Sequence, residues 1–402
     1  MRKKHFLFAS VLALLCGSST LHAQDFKLTS SGYFKNQGVD VMAFDDIYPE
    51  GHQGGVCIIM NGHRVATNGD IRLEATPGQW QPVPKQLDRK LGDNSITATL
   101  CYPDSSRHLT GFNPMIYPDL HLIYTVNVES KGKNIEVTVD LDRPIPQEFI
   151  GKVGFNLEFF PGSLFGKPWI MDGQSGIFPQ QPNSPLMTTQ PNYLHTGNYH
   201  DGKKSLADMN KLIGKGYSPI VADDIISEPY AKGTKFTSRP DDPYNKVTIE
   251  SLSGDLQLFD GRMNHNNGWF VLRSNIKPGV TKGAVKWIIT PNVVADWMYQ
   301  PVIQTSQIGY HPTQDKEAVI EMDIRDNRKE TAQIIRIDAD GEKVVKNVTP
   351  ANWGKFLRYN YLKVNFTDVK EPGLYKIKYN TSVSPIFRID NDVYARGVWQ
   401  PV

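Results

Sequence analysis

The chain has 402 residues, and the first 23 have the composition of a removable leader, so about 379 residues remain to fold. That length suits two or three domains and excludes a single small module. Hydrophobic residues make up 39% and charged residues 21%, with 33 Gly and 27 Pro, which is a globular composition with many turns. Three of the 44 basic residues lie in the leader, leaving 41 against 42 acidic residues, so electrostatic binding to nucleic acid or to an anionic membrane is not indicated.

The first 23 residues have the anatomy of a signal peptide. Basic residues at 2–4 precede an apolar stretch at 6–15, and a small residue, Ala23, ends the segment. About ten apolar residues are too few for a membrane anchor, which needs roughly 20. Lipidation at Cys16 is the less favoured alternative, because the preceding side chain is not small. We therefore expect an exported protein of the periplasm, the cell surface or the medium, without a membrane span.

Most of the periodic signal after the leader has a period of two. Apolar side chains at 135, 137, 139 and 141 alternate with polar ones, which is typical of an antiparallel sheet with one buried face. We predict an all-β protein whose residues 24–300 form a large N-terminal β-sandwich. Its strand candidates are 55–60, 71–75, 95–102, 121–129, 135–141, 153–160, 247–251, 268–273 and 285–290.

Residues 160–230 lack strong periodicity and are predicted to be mostly loops, which are often functional when so long. A helix is expected at 206–213, with a capping-box-like start and Gly214 after it.

A second run of short strands follows residue 300. The candidates 317–324, 332–338, 343–348, 361–369, 374–379 and 386–389 suit a seven-strand immunoglobulin-like β-sandwich at 301–392. The Asp-rich stretch at 338–341 is predicted to be a hairpin turn, because it lacks the further ligands of a calcium loop. Residues 393–402 are expected to begin a linker.

Two cysteines, Cys57 and Cys101, remain after the leader. A disulfide and two buried thiols are both compatible with their strand-like surroundings. No zinc or redox spacing is present in the sequence, and no cofactor is expected.

Several short strings between 302 and 394 carry a resemblance. They are SQIGYHP beginning at Ser306, PGLYKI at Pro372, SPIFRI at Ser384, and Val393-Tyr394. This segment resembles the immunoglobulin-like module that precedes the catalytic domain in glycoside hydrolase family 9 endo-β-1,4-glucanases. We expect Gly309 to form a permissive bend and Tyr375, Phe387 and Ile389 to lie in the sandwich core.

Residues 24–300 resemble, less specifically, the N-terminal β-rich domain of such glucanases from Bacteroidetes-type gut bacteria. The matching strings are VGFNLEFFP at Val153, LFDGR at Leu258 and NGWF at Asn267. The resemblance implies a following (α/α)6 catalytic barrel with an Asp-x-Gly-Asp motif, a string that is absent here. We therefore expect the non-catalytic front half of a cellulase-like enzyme, with no catalytic residues of its own and the barrel as its partner in cis.

Glycan contact is the chemistry that the loops favour, because sugars offer C–H faces to aromatic rings and hydroxyls to amides and carboxylates. The glycan-contact candidates are Trp169 with Asp172 and Gln174, and Trp80 between two glutamines. Trp269 and Trp287 lie in apolar strands and are predicted to be core.

Other groups of polar residues are interpreted as loop or surface residues rather than as functional sites. Inverting glycoside hydrolysis needs two carboxyl groups on either side of a cleft. Asp223 and Asp224 are interpreted as part of a solvated loop instead. A carboxyl pair formed by Glu158 and Asp172 in one cleft is a remote alternative. His195, His200 and Asp201 are interpreted as polar surface rather than a metal site, and the asparagines around His265 as a turn.

Two functions follow from these expectations. The first is the supporting N-terminal portion of an exported family 9 β-glucanase. The alternative is a free-standing protein that binds β-1,4-glucan at the cell surface or in the periplasm. A third function, an enzyme whose active site lies in the N-terminal sandwich itself, is not favoured, because the sequence shows no paired acid motif.

Overall fold

The computed structural model describes residues 25–45, 54–73, 84–104, 120–182, 186–187, 226–227, 229–263 and 268–395. These residues form strands and three short 3-10 segments, with no α-helix among them. The all-β prediction is therefore confirmed. The predicted helix at 206–213 lies outside the described residues. Within the described ranges, no helix is long and apolar enough to cross a membrane.

Among the described residues, twenty strands precede residue 292. They are β1 (Lys27–Leu28), β2 (Phe34–Asn36), β3 (Val39–Ala43), β4 (Val56–Met60), β5 (His63–Leu73), β6 (Lys85–Leu91), β7 (Ser95–Tyr102), β8 (Leu122–Lys131), β9 (Asn134–Leu141), β10 (Val153–Phe159), β11 (Pro168–Met171), β12 (Gln174–Ile177), β13 (Leu186–Met187), β14 (Ile226–Ser227), β15 (Ala231–Gly233), β16 (Lys235–Ser238), β17 (Val247–Ser251), β18 (Leu256–Asp260), β19 (Phe270–Asn275) and β20 (Val285–Pro291). The 3-10 segments are Gln147–Phe149, Pro161–Ser163 and Gly261–Met263.

These strands build two antiparallel nine-stranded sheets. The first sheet has the order β1-β2-β3-β4-β5-β10-β19-β18-β15, and the second has the order β12-β11-β16-β17-β20-β9-β8-β7-β6. Strands β13 and β14 pair only with each other. Alternation explains the half-buried strands: in β9, the residues at 135, 137, 139 and 141 are buried and those between them are not.

The two sheets share one apolar core. Phe155 of β10 meets Trp287 of β20 edge to face, with ring centroids 5.0 Å apart, and the indole N–H of Trp287 donates to Ser274 Oγ of β19 at 3.0 Å. Trp287 is thus core, as predicted. Trp269 differs, since it is only partly buried, at the start of β19, where its ring packs against Phe160.

Nine further strands form a second sandwich. They are β21 (Val302–Gln304), β22 (Glu317–Asp323), β23 (Ala332–Asp338), β24 (Gly341–Val348), β25 (Ala351–Phe356), β26 (Tyr359–Asn365), β27 (Gly373–Tyr379), β28 (Ser382–Val383) and β29 (Phe387–Ile389). One sheet has the order β21-β22-β26-β25; the other has the order β24-β23-β27-β28, with β29 also paired to β27. This architecture is immunoglobulin-like, although short segments raise the strand number above the predicted seven. Residues 338–341 are the β23–β24 hairpin turn.

The second sandwich has a core of its own. Tyr375, Phe387 and Ile389 are buried in it, as predicted, and Tyr310 packs edge to face against Phe387. Lys316 is fully buried beside it. Its ammonium donates to the carbonyl oxygens of Pro312 and Gln314 at 2.9 and 3.0 Å, so it ties together the loop that carries the SQIGYHP string.

Sequence reasoning missed several strands. β3 and β18 were missed although their side chains alternate between buried and partly buried. β6 is exposed along nearly its whole length, and β11 and β12 are only four residues each. β6 and β12 are the two edges of the second sheet, and β11 lies between β12 and β16. Residues 168–177, predicted to be loop, are therefore a hairpin.

Cys57 and Cys101 are buried thiols on different sheets, in β4 and β7. The sequence left open a disulfide or two buried thiols, and the structure shows two buried thiols.

Gly309 has a backbone φ of +107°, and a Cβ there would approach the carbonyl oxygen of Arg388 more closely than real Cβ atoms do. We expect Gly309→Ala to lower the free energy of unfolding by about 2 kcal/mol or more, because strain and a backbone clash combine. The matched control is Gly341→Ala, since Gly341 has a similar φ of +129° but open space around the added Cβ. Urea unfolding measures both. Equal losses in the two variants would contradict the clash.

Candidate functional site

A cleft of about 410 Å³ lies where the two sandwiches meet. Strands β1 to β4 form one wall, and β22 and the start of β26 form the other. The segment that joins the sandwiches contributes Trp297 and Tyr299. The chain therefore assembles this cleft from its first strands and from residues roughly three hundred positions later.

The joining segment is fixed from both sides. The carbonyl oxygen of Trp297 accepts hydrogen bonds from Gln37 Nε2 and from Arg325 Nη2, each at 2.6 Å. Gly38 has a φ of +65°, and a Cβ there would lie 2.7 Å from the Trp297 ring, so only glycine allows the indole to pack so closely. These contacts hold Trp297 in the wall of the cleft.

Two ion pairs lie in the cleft, one across it and one within one wall. Arg358 of the second sandwich binds Asp40 of β3 at 3.1 Å, and Arg325 binds Asp323 at 2.8 Å. Burial raises the pKa of Asp40, against the opposing effect of Arg358 and Lys35. At Asp323 burial also favours the neutral form, but hydrogen bonds from Arg325 and from the Tyr299 backbone outweigh it and lower the pKa to about 2. The Asp323 carboxylate is therefore ionised at neutral pH.

Five aromatic side chains run from the cleft along the outer face of the β21-β22-β26-β25 sheet. We call them the aromatic row: Trp297, Tyr299, Tyr359, Tyr361 and Trp353. Successive ring centroids are 6.4, 5.1, 6.1 and 5.5 Å apart. Trp353 at the far end is 57% exposed.

Glu321 fixes two members of the aromatic row. Its carboxylate accepts hydrogen bonds from the hydroxyls of Tyr299 and Tyr361, at 2.9 and 3.2 Å. Burial and then the neighbouring carboxylate raise the pKa of both tyrosines. Both hydroxyls therefore keep their protons and remain donors. Sequence reasoning missed this row, although Tyr359 and Tyr361 alternate with buried residues in β26 and so share one face.

The predicted glycan-contact residues Trp169, Asp172 and Gln174 lie outside both the cleft and the aromatic row. Trp169 lies in β11, is 6% exposed and stacks on Tyr230. Asp172 follows β11 and accepts hydrogen bonds from the backbone N–H groups of Thr234 and Lys235. Gln174 of β12 donates to the Lys232 carbonyl oxygen at 2.7 Å. These three residues share one hairpin region, and Trp80 lies outside the described residues. Their contact with a glycan stays a prediction.

Glu158 and Asp172, the remote alternative for a shared cleft, belong to different sheets and have different partners. His195, His200, Asp201, Asp223, Asp224 and His265 lie outside the described residues. Among the residues that are described, no group of three or more His, Cys, Asp or Glu is placed to hold a metal ion.

A buried polar cluster lies in the N-terminal sandwich. Asp70 of β5 accepts a hydrogen bond from the Tyr124 hydroxyl at 2.7 Å and lies 3.8 Å from the Arg72 guanidinium. Asn68, with a φ of +54°, donates to the Glu158 carboxylate. Burial raises the pKa of Asp70 to about 6, against the effects of Arg72 and Tyr124. All four of the polar residues Asn68, Asp70, Arg72 and Glu158 are less than a tenth exposed, so we interpret the cluster as internal pairing rather than a substrate site.

In a comparison with known protein families, residues 298–384 match the family described as the cellulase N-terminal ig-like domain. The match begins in the joining segment and covers strands β21 to β28. The resemblance stated from sequence is thereby confirmed for the second sandwich, which we now call the cellulase-type Ig-like domain.

Two solved structures are also similar. A structure named Bacteroides ovatus GH9 is 26% identical, with a TM-score of 0.20; the match covers 23% of this chain and 16% of that chain. A structure titled Crystal Structure Analysis of HI1317 is 8% identical, with a TM-score of 0.27, over 67% of this chain and 99% of that one. TM-scores this low carry no argument about fold. No curated protein matches this chain.

Asp70 generates a prediction about pH. Its pKa is about 6 when folded against 3.8 in the reference state, so the folded protein binds this proton more tightly. The resulting stability is fully present below pH 3.8 and is lost as the pH rises through 6. We expect the free energy of unfolding of Asp70→Asn, relative to wild type, to rise by about 2 kcal/mol between pH 4 and pH 7.

Urea unfolding of both proteins across this pH range measures the difference. Tyr124→Phe is the companion variant, because it removes a hydrogen bond that lowers the Asp70 pKa and should move the transition to higher pH. Parallel pH profiles for Asp70→Asn and wild type would contradict the assignment.

Trp169 generates a second prediction. Because its ring lies against Gly176 and is buried, we expect Trp169→Ala to lower the free energy of unfolding by about 3 kcal/mol. Gln174→Ala, at an exposed position of the same hairpin, should change it by less than about 1 kcal/mol. A Trp169→Ala protein as stable as wild type that has lost glycan binding would instead support the contact predicted from sequence.

Proposed function

We propose that this chain is the non-catalytic N-terminal portion of an exported glycoside hydrolase family 9 β-glucanase that takes part in polysaccharide degradation. The observation that carries the proposal is the match of residues 298–384 to the cellulase N-terminal Ig-like domain. The leader-like composition of residues 1–23 supports export. The partner in this proposal is a catalytic (α/α)6 barrel, normally in cis, and its substrate is a β-1,4-glucan.

The carboxyl groups of the two clusters described above do not suit glycoside hydrolysis. That reaction needs two carboxyls that flank a bond open to substrate. Asp70 and Glu158 are buried, and Asp323 and Asp40 are bound by arginines. Neither cluster is therefore a candidate for the paired acids of such an enzyme.

Exposed apolar side chains near the end of the Ig-like domain suit contact with such a barrel. Ile308, Ile386 and Tyr394 are 48%, 61% and 42% exposed. They flank the place where Tyr310 pairs with Ile389, close to the end of the described chain. Several exposed apolar side chains in one region of a surface are typical of a patch that another domain covers.

The alternative function is a free-standing protein that binds β-glucan. The aromatic row favours it, because one exposed and four partly exposed rings lie beside hydrogen-bonding groups, an arrangement that suits sugar faces. Reducing-sugar assays and the mass of the native protein separate the two functions.

For the first function, we expect the purified chain to release no reducing sugar from carboxymethyl cellulose, xyloglucan or mixed-linkage glucan. We also expect an antibody against this chain to detect, in the producing cells, a secreted protein far larger than the 45.3 kDa of this sequence. A family 9 catalytic domain of known activity is the positive control for the assay. Sugar release by the chain alone would refute the non-catalytic assignment, and a native protein of about 45 kDa that binds glucan would support the alternative.

A further inference from the structure

We propose that the cleft between the sandwiches and the aromatic row form one binding site for a neutral oligosaccharide chain. The ligand would enter the cleft at Trp297 and Tyr299 and extend over Tyr359 and Tyr361 toward Trp353. This site is separate from the hairpin of Trp169. The inference goes beyond the proposed function, because it holds whether the chain acts alone or ahead of a catalytic domain.

The spacing of the row suits a linear sugar. Neighbouring ring centroids are between 5.1 and 6.4 Å apart, which is on the order of one hexose unit. Each ring packs at an angle on the next, and Glu321 holds two hydroxyls, so the rings are fixed before a ligand arrives. Fixed rings lose little conformational entropy on binding.

The charges of the cleft favour a neutral ligand over an ionic one. Asp40 and Asp323 each have an arginine partner, so these four charges neutralise one another. The lining also carries Lys27 and Lys35 against one further carboxylate, Asp25, so little net charge is left. Their oxygen and nitrogen atoms still offer lone pairs and N–H groups, and Lys35 and Gln37 add further donors to the lining. Hydroxyl groups can satisfy both kinds of atom, which is the chemistry of a sugar.

The outer face of the sheet is a mixture of rings and polar groups. Beyond Tyr361, the next positions carry Lys363 paired with Glu317, and Glu321 lies between two tyrosines. A protein partner would favour a continuous apolar core instead. Phe356 and Leu357 are exposed near the row, so a protein contact is the competing outcome of the test.

The site opens at its far end. Trp353 lies in β25, at the edge of its sheet, and its exposed ring packs edge to face on Tyr361. A chain longer than the cleft can therefore continue over the sheet without a steric barrier at Trp353. We therefore expect affinity to rise with oligosaccharide length.

The test is calorimetric titration of the full chain with cellohexaose, with cellobiose for comparison. We expect cellohexaose to bind more tightly, and Tyr359→Ala and Trp353→Ala each to weaken it by up to about tenfold, the effect of losing one aromatic contact. Tyr359→Phe keeps the ring and should bind as wild type does. Phe165→Ala removes an exposed aromatic side chain that lines no part of the cleft, and should leave binding unchanged. Thermal melting of each variant verifies folding.

Several results would overturn the proposal. Failure to bind cellohexaose, xylohexaose and mannohexaose would do so, and so would binding that both alanine variants retain in full. Tighter, salt-dependent binding of oligogalacturonate would refute the neutral ligand. If Trp353→Ala altered only the sedimentation coefficient of the chain, the row would be a protein contact. Reducing-sugar release is measured in the same samples, so failure of the proposed function is seen separately from failure of this site.

Discussion

One carbonyl oxygen joins the two sandwiches. Trp297 accepts a hydrogen bond from Gln37 of the first sandwich and another from Arg325 of the second, and its indole packs over Gly38. Everything proposed for the cleft depends on this joint, because it sets the distance between the wall that carries Asp40 and the wall that carries Tyr359. The ion pair of Asp40 with Arg358 adds little stability, since Arg358 is half exposed. Its main effect is on the orientation of the two walls.

The protein uses buried charge in two different ways. In the N-terminal sandwich, Asp70, Arg72 and Glu158 are fully enclosed, and the cost of taking them out of water is visible in the raised pKa of Asp70. At the cleft, Asp323 has enough donors around it that its pKa falls instead. Two things differ: Asp70 is more deeply buried, and Asp323 accepts hydrogen bonds from both Arg325 and the Tyr299 backbone.

The cellulase-type Ig-like domain presents different surfaces at its two ends. Near Ile308 and Ile386 it exposes apolar side chains, and along β22 and β26 it exposes rings set among carboxylates and lysines. The first surface suits a protein neighbour and the second suits a sugar. A supporting module with both properties would hold a catalytic domain and a glycan chain in one assembly.

Sequence by itself determined the fold class and most of the strands, because the alternation of apolar and polar residues is a local property that records which face is buried. It also determined the Ig-like domain, whose short strings encode a bend at Gly309 and core positions such as Tyr375. It did not find β6, an edge strand that is exposed along nearly its whole length, or β11, which is only four residues long. The candidate site was beyond its reach for a different reason: Asp40 and Arg358 are 318 positions apart, and nothing local indicates that they meet. The glycan contact of Trp169 stays a prediction, and only tertiary packing decided that its ring is covered while that of Trp353 is exposed.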